Sequence, residues 1–392
     1  MKGQPRTAAL LGGLTERRFL RDYWQKRPLL VRSAMPGFRD PIAADELAGL
    51  SCEDGVESRI VREKGGVRPW EVTWGPQEEK TFASLPDAGW TLLVQEVNRH
   101  VPGAALLLDR FAFLPSVRVD DVMVSFAARG GSVGPHLDSY DVFLVQGQGK
   151  RRWRYGTKPA KDARFRAGLE LRILERFDWD EDEVLEPGDM LYLPPGFAHH
   201  GVGVTPCLTY SIGFRSPSAG EMWKDFAAHL ASRDEASRLL VDPPLRPADN
   251  PGAIPPALLR RVRNEVRAMH ARDDVIDRWF AAFATRLSPG HEVTPPRRAP
   301  DGAAIAARLR RGARVARTEE GRWAFLPRTK GGLYLYVGGA EIDVPAAAAP
   351  LAKLLCATRR FDGRALAAAS RGSAAAALLA HLFAIGALRF GS

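Results

Sequence analysis

A chain of 392 residues, 45% hydrophobic and 26% charged, can bury a substantial core, which argues against extensive disorder. The net charge of +10 is uneven: 14 Lys+Arg face 6 Asp+Glu from residue 300 onward, against 42 and 40 before it, so the last quarter suits RNA or a solvated basic surface. Cys52, Cys207 and Cys356 are widely spaced and form no CxxC pair, which excludes a disulfide framework or a thiolate zinc site. The short apolar patch at residues 8–11 is no signal-peptide core, and no apolar run reaches membrane-spanning length. A cytoplasmic chain with no membrane contact is expected.

Residues 14–31 predict a helix followed by an extended segment at 28–31. From 58 to 214 short β-like runs alternate with Gly and Pro, at 117–126, 142–145, 151–155, 184–185, 190–193 and 208–214. Many short strands with Gly/Pro turns point to a barrel or jelly roll. At residue 215 the pattern changes. Ser218 and Glu221 form a capping-box signature for a helix with Met222, Phe226 and Leu230 on one face. After a Pro-rich stretch at 242–256, Leu258, Val262, Val266 and Met269 space a second helix, and Ile276, Phe280, Phe283 and Leu287 a third. Three helices without a core of their own predict packing on the barrel or on a second copy, hence a homodimer. Residues 288–290 and 295–300 mark a further boundary. Beyond it come a helix at 303–309, a hairpin from 323–326 and 333–337, two alanine-rich helices and a strand at 388–390, which together resemble a winged-helix module. The domains expected are 1–215, 216–297 and 298–392.

The chemistry lies in His136-Leu137-Asp138, followed 61 residues after Asp138 by His199. Two histidines and one carboxylate can hold one face of an octahedral Fe(II), leaving three positions open, as in non-haem iron oxygenases. If 136–138 is a strand, His136 and Asp138 point the same way, and the third ligand must arrive from another strand. His199 and His200 compete for that place, because neighbouring strand residues face opposite sides. Taken singly these histidines read more simply as surface or hydrogen-bonded groups; the combination favours the metal. The co-substrate commonest for such iron is 2-oxoglutarate, whose far carboxylate needs a buried cation. In 150–155, alternation puts Arg151 with Trp153 and Tyr155, so Arg151 is the expected partner, with a fork that matches a carboxylate. Thr209 and Ser211 alternate with Leu208, Tyr210 and Ile212 and are expected to face the same cavity. Asp121 shares a side with Met123 and Ser125. With Tyr140, in phase with His136 and Asp138, it would suit a cationic substrate side chain; a strand cap and a core tyrosine are the plainer readings.

Several longer motifs carry a resemblance: 133–143 around the HxD pair, 146–154, 185–199 and 210–215, with Tyr23-Trp24-Gln25-Lys26-Arg27-Pro28-Leu29 as a lead-in. On these residues the chain resembles the JmjC-type ribosomal oxygenases of the cupin-like superfamily, specifically the bacterial protein-arginine hydroxylases. It departs from that pattern at His200 and Ser139. The resemblance implies an α+β fold: a double-stranded β-helix (jelly roll, JmjC/cupin-like), a helical dimerisation domain and a C-terminal winged-helix domain. It selects His199, so that His136, Asp138 and His199 would bind Fe(II), with 2-oxoglutarate and O2 as co-substrates. Arg151, with Thr209, would hold 2-oxoglutarate; Asp121, Tyr140 and Ser211 would line the substrate pocket. The implied reaction is hydroxylation at Cβ of an arginine in large-subunit ribosomal protein sixteen, the expected partner. Two other readings compete: hydroxylation of a histidine or lysine in another protein, and a non-catalytic ribosome-binding scaffold. Direct RNA contact is left open.

Overall fold

The computed structural model describes residues 9–64, 69–233, 237–243, 252, 254–268, 272–287, 292–319 and 321–391. Its contacts divide the chain into two compact units, Met1–Ser216 and Pro217–Ser392.

Among its described residues the first unit holds eleven strands: β1 (Leu29–Val31), β2 (Ser58–Glu63), β3 (Trp70–Trp74), β4 (Trp90–Val94), β5 (Val119–Ala127), β6 (Asp141–Gln146), β7 (Arg151–Tyr155), β8 (Glu181–Leu185), β9 (Met190–Leu193), β10 (His199–Gly203) and β11 (Cys207–Phe214). Eight of them form one sheet in the order β1-β9-β6-β11-β5-β4-β2-β3, and three form a second, β10-β7-β8. All pairings are antiparallel, as expected of a jelly roll. The lead-in helix, Glu16–Asp22, starts where the Thr15 hydroxyl accepts the Arg18 N–H at 3.2 Å.

Alternation decides which residues reach the cavity. On β6, Phe143 and Val145 join the larger core, where Phe19, Phe111 and Tyr192 also pack, while Val142 and Leu144 turn to the opposite face. On β11, Leu208, Tyr210, Ile212 and Phe214 enter the larger core, which leaves Thr209 and Ser211 on the inner face. Burying both faces of β6 makes it the centre of this unit. Each large apolar side chain so buried contributes roughly 1.5–3 kcal/mol.

The second unit begins as the capping pattern predicts. The Ser218 N–H donates to Glu221 Oε2 at 2.6 Å and the Glu221 N–H returns to Ser218 Oγ at 3.1 Å, starting helix Ala219–Ala231. Helices Pro256–Ala268 and Asp273–Thr285 follow. Phe226 of the first helix packs on Trp279 of the third at 4.8 Å, and Trp279 Nε1 donates to Asp225 at 2.8 Å. Met269 and residues 288–290, part of the expected pattern, lie outside the described residues.

After helix Gly302–Arg310 come β12 (Val315–Arg317), β13 (Trp323–Pro327), β14 (Leu333–Val337), β15 (Ala340–Val344), β16 (Arg360–Phe361) and β17 (Leu388–Phe390). The expected hairpin is β13–β14, and β15 extends it to a three-stranded wing. The alanine-rich stretch differs from expectation: it makes three helices, Ala349–Ala357, Gly363–Ala369 and Ser373–Ala384, not two. The Asp362 side chain caps the second at the Ala365 N–H, and Gly372 with φ +99° separates it from the third. Among the described residues, no helix is long and apolar enough to cross a membrane.

Candidate metal centre

β10 opens at His199 and runs antiparallel to β7, pairing His199 with Tyr155 and Gly201 with Trp153. Residues 136–138 are not a strand, contrary to the alternation argument; His136 makes only an isolated bridge to His199. Two backbone hydrogen bonds close that bridge, His136 N to His199 O at 3.0 Å and His199 N to His136 O at 3.1 Å. The Gly196 N–H donates to Asp138 O at 2.8 Å. Gly134 turns the approach with φ +78°, and a Cβ there would meet Ile173 at 2.6 Å. The segment therefore trades regular strand for a tight turn that still sets His136 opposite His199.

The ligand atoms of His136, Asp138 and His199 all lie within 4.8 Å of one another. Asp138 Oδ2 is 3.4 Å from His199 Nε2, and Oδ1 is 3.9 Å from His136 Nε2. Each ring donates its Nδ1–H to a carbonyl two residues back, Gly134 O and Phe197 O, both at 2.9 Å. Those bonds fix the tautomer and turn both Nε2 lone pairs inward, as backbone carbonyls do behind metal-binding histidines. Burial, with the neighbouring His199, pushes His136 down to about 4, so its ring is neutral and ready to ligate at neutral pH. Burial works to raise Asp138, but the His199 hydrogen bond and nearby positive charge hold it below the usual carboxylate value. His200 faces away: its Nε2 lies 2.8 Å from Ser132 Oγ, and its ring meets Phe177. The structure thus groups His199, not His200, with the other two.

Arg151 is 3% exposed on β7, its guanidinium 4.9 Å from the Trp153 ring. It donates to Ser125 Oγ at 3.0 Å, Thr209 Oγ1 at 3.4 Å and Gly201 O at 3.5 Å, while its buried Nε has no partner. Among the described residues it has no carboxylate to pair with, and burial lowers its proton affinity. A buried guanidinium without a counter-charge is costly, so the cavity is built to receive an anion. Gly201 makes the room: a Cβ there would come within 2.7 Å of both Arg151 Nε and the Trp153 ring.

Arg151, the three candidate ligands, Thr209 and Ser211 line one cavity of about 200 Å³. Tyr140 stands at its mouth, 38% exposed, and the Asp138 charge, followed by burial, drives its hydroxyl pKa up so that it stays protonated. Asp121 lies just outside the lining and accepts the Glu96 N–H at 2.9 Å. Asp121 and Tyr140 both border Gly213, where a Cβ would be in ordinary contact with each, 3.4 Å from Asp121 Oδ1 and 3.9 Å from the Tyr140 ring. Sequence reasoning missed Arg59, Leu93, Arg172 and Ile173, which also line the cavity. Nothing local marks them; only strand register and the 156–180 connection bring them in.

Residues 106–222 match the JmjC domain, and residues 263–389 the ROXA-like winged helix. The ribosomal protein uL16 3-hydroxylase of Escherichia coli K12 is 39% identical over 279 residues, covering 71% of this chain and 73% of that protein. The chain belongs to the JmjC-type ribosomal oxygenases. A probable ribosomal oxygenase of Haemophilus influenzae is 38% identical over 237 residues, covering 59% of this chain and 58% of its own. The X-ray structure of E. coli YcfD matches with a TM-score of 0.83 at 33% identity, over 96% of this chain and 98% of that one. YcfD in complex with cobalt and 2-oxoglutarate matches at 0.79 and 34%, over 97% and 99%. The likeness to YcfD along nearly the whole chain bears out the α+β jelly roll with a C-terminal winged helix. In this ribosomal oxygenase the residues fit such ligands: two inward imidazoles and a carboxylate suit a divalent transition metal, and the orphaned Arg151 suits a dicarboxylate.

Proposed function

We propose that the chain is an Fe(II)- and 2-oxoglutarate-dependent hydroxylase of ribosomal protein uL16, acting at Cβ of an arginine. One observation carries this reading: a metal-competent triad and a buried, anion-seeking arginine face a single cavity. When bound, iron and 2-oxoglutarate together supply the oxidising chemistry, turning O2 and the keto acid into succinate, CO2 and one oxygen atom inserted into a C–H bond.

The chain's own residues supply placement. His136 and His199 offer Nε2, and Asp138 a carboxylate oxygen, with both rings held by their Nδ1–H bonds. Arg151, steadied by Ser125 and Thr209, would pair with the distal carboxylate of 2-oxoglutarate. Val142, Leu144, Trp153 and Ile173 present apolar surface that keeps water from the reacting carbon. Asp121 would receive the substrate guanidinium at the mouth, beside the Tyr140 hydroxyl, with Ser211 on the cavity wall. Holding the charged end there leaves the aliphatic stem, not the guanidinium, nearest the triad.

Incubation with iron(II), 2-oxoglutarate, O2 and uL16 should give succinate and one added oxygen on an arginine. An added oxygen on lysine or histidine instead would defeat the arginine assignment, and no succinate at all would defeat the oxygenase reading. Asp121→Asn keeps an acceptor for the Glu96 N–H but removes the charge. Its expected effect is a rise in KM for uL16 of roughly 10- to 100-fold, the scale of a charge-assisted hydrogen bond, with metal and 2-oxoglutarate binding unchanged. Unaltered kinetics would remove Asp121 from the pocket.

The three expected domains, 1–215, 216–297 and 298–392, are kept as part of this proposal. The helices of 216–297 are proposed to join two copies: Trp223, 71% exposed, and Val266 and Phe280 offer apolar surface on them. Sedimentation showing only monomer would end that idea. Unpaired thiols at Cys52, Cys207 and Cys356 suit a reducing cytoplasm, where ribosomal proteins are made.

A further inference from the structure

Paired residues on antiparallel strands project to the same face of a sheet. Arg59 of β2 pairs with Leu93 of β4, Leu93 with Ser125 of β5, and Ser125 with Thr209 of β11. Arg59, which pairs on its other side with Trp74 of β3, therefore belongs to a row in which Ser125 and Thr209 hydrogen-bond Arg151, and its side chain lines the same cavity. Its Nε is buried with no hydrogen-bond partner, and among the described residues it joins no ion pair. The Trp74 ring, 5.6 Å from the guanidinium carbon, backs it on the outer side. Two strand spacings, roughly 10 Å, separate its backbone from that of Ser125, the residue Arg151 touches, so Arg59 enters the cavity from a different part of its wall.

A fixed cation beside a pocket proposed to take a cationic side chain is unfavourable unless it meets oxygen acceptors. The Asp138 carboxylate is committed to the metal and that of Asp121 to the target guanidinium, so the acceptors must come from the rest of the bound polypeptide. Any bound polypeptide brings main-chain carbonyls, whatever its side chains. We infer that Arg59 is a substrate-positioning residue that donates hydrogen bonds to main-chain carbonyl oxygens of the bound polypeptide beside the hydroxylated residue. The role rests on the proposed function: it fixes the depth to which the target enters, where Asp121 fixes its far end.

The test compares the cobalt(II)-loaded full chain with its Arg59→Met and Arg59→Lys variants, measuring binding of uL16 and, separately, of 2-oxoglutarate. Arg59→Met keeps an apolar stem against Trp74 and removes every donor. It should weaken uL16 binding by roughly tenfold or more and raise KM for uL16 with the iron-loaded protein, leaving 2-oxoglutarate affinity intact. Arg59→Lys should recover part of the loss. Unchanged uL16 binding by Arg59→Met overturns the inference, as does an equal loss of 2-oxoglutarate affinity, which would mark a structural or co-substrate role. A parent protein that binds 2-oxoglutarate but no uL16 would instead sink the proposed function, and this role with it.

Discussion

Asp138→Ala is expected to lose the divalent ion and all succinate formation while keeping its fold. Only a carboxylate reaches both imidazole nitrogens here, at 3.4 and 3.9 Å, and its removal leaves two neutral donors that cannot balance a double positive charge. The scaffold does not depend on it: His136 and His199 are tied by backbone hydrogen bonds, and Asp138 contributes its main-chain carbonyl to Gly196. Cobalt(II) titration followed by visible absorption would read the loss, and thermal melting of the metal-free protein would show the fold intact. Cobalt bound with parental affinity would mean the ion sits elsewhere, and the proposed function would fall with the triad.

Arg151→Met separates co-substrate binding from stability in opposite directions. The guanidinium is buried, over Trp153, with hydroxyls and one carbonyl as its only partners among the described residues. Removing it takes away the single buried cation beside Thr209 and Ser125, so 2-oxoglutarate affinity should fall about 100-fold, within the 2–5 kcal/mol typical of a buried charge pair losing one partner. The unliganded protein should melt no lower than the parent, because a lone buried charge is a burden until its ligand arrives. Calorimetry with 2-oxoglutarate and a melting curve without it check both halves. Preserved affinity would show that another group holds the distal carboxylate, while a large drop in melting temperature would make Arg151 a structural residue.

Much of this site was legible along the chain because its chemistry is local. The HxD pair, the later histidine and the alternation of Arg151 with Trp153 and Tyr155 each span a few residues, and so does the Ser218–Glu221 capping box. The strand reading of 136–138 failed for a local reason too: Gly134 and Pro135 force a turn, and a bridge of one residue replaces the ladder. The alanine-rich stretch hid a third helix because uniform apolar content carries no period, and only the Asp362 cap and Gly372 mark its ends.

By itself the sequence determined the kind of site, since residue types at short spacing fix which donors exist and which way a strand turns them. It narrowed the fold as well, since short strands broken by Gly and Pro pointed to a barrel or a jelly roll. Tertiary structure alone decided that His200 turns to Ser132 and that β2, 77 residues before His136, delivers Arg59 to the cavity wall. The physical reason is register: which strand lies beside which, and by what offset, depends on burying both faces of β6 at once, and no short window of residues contains that condition.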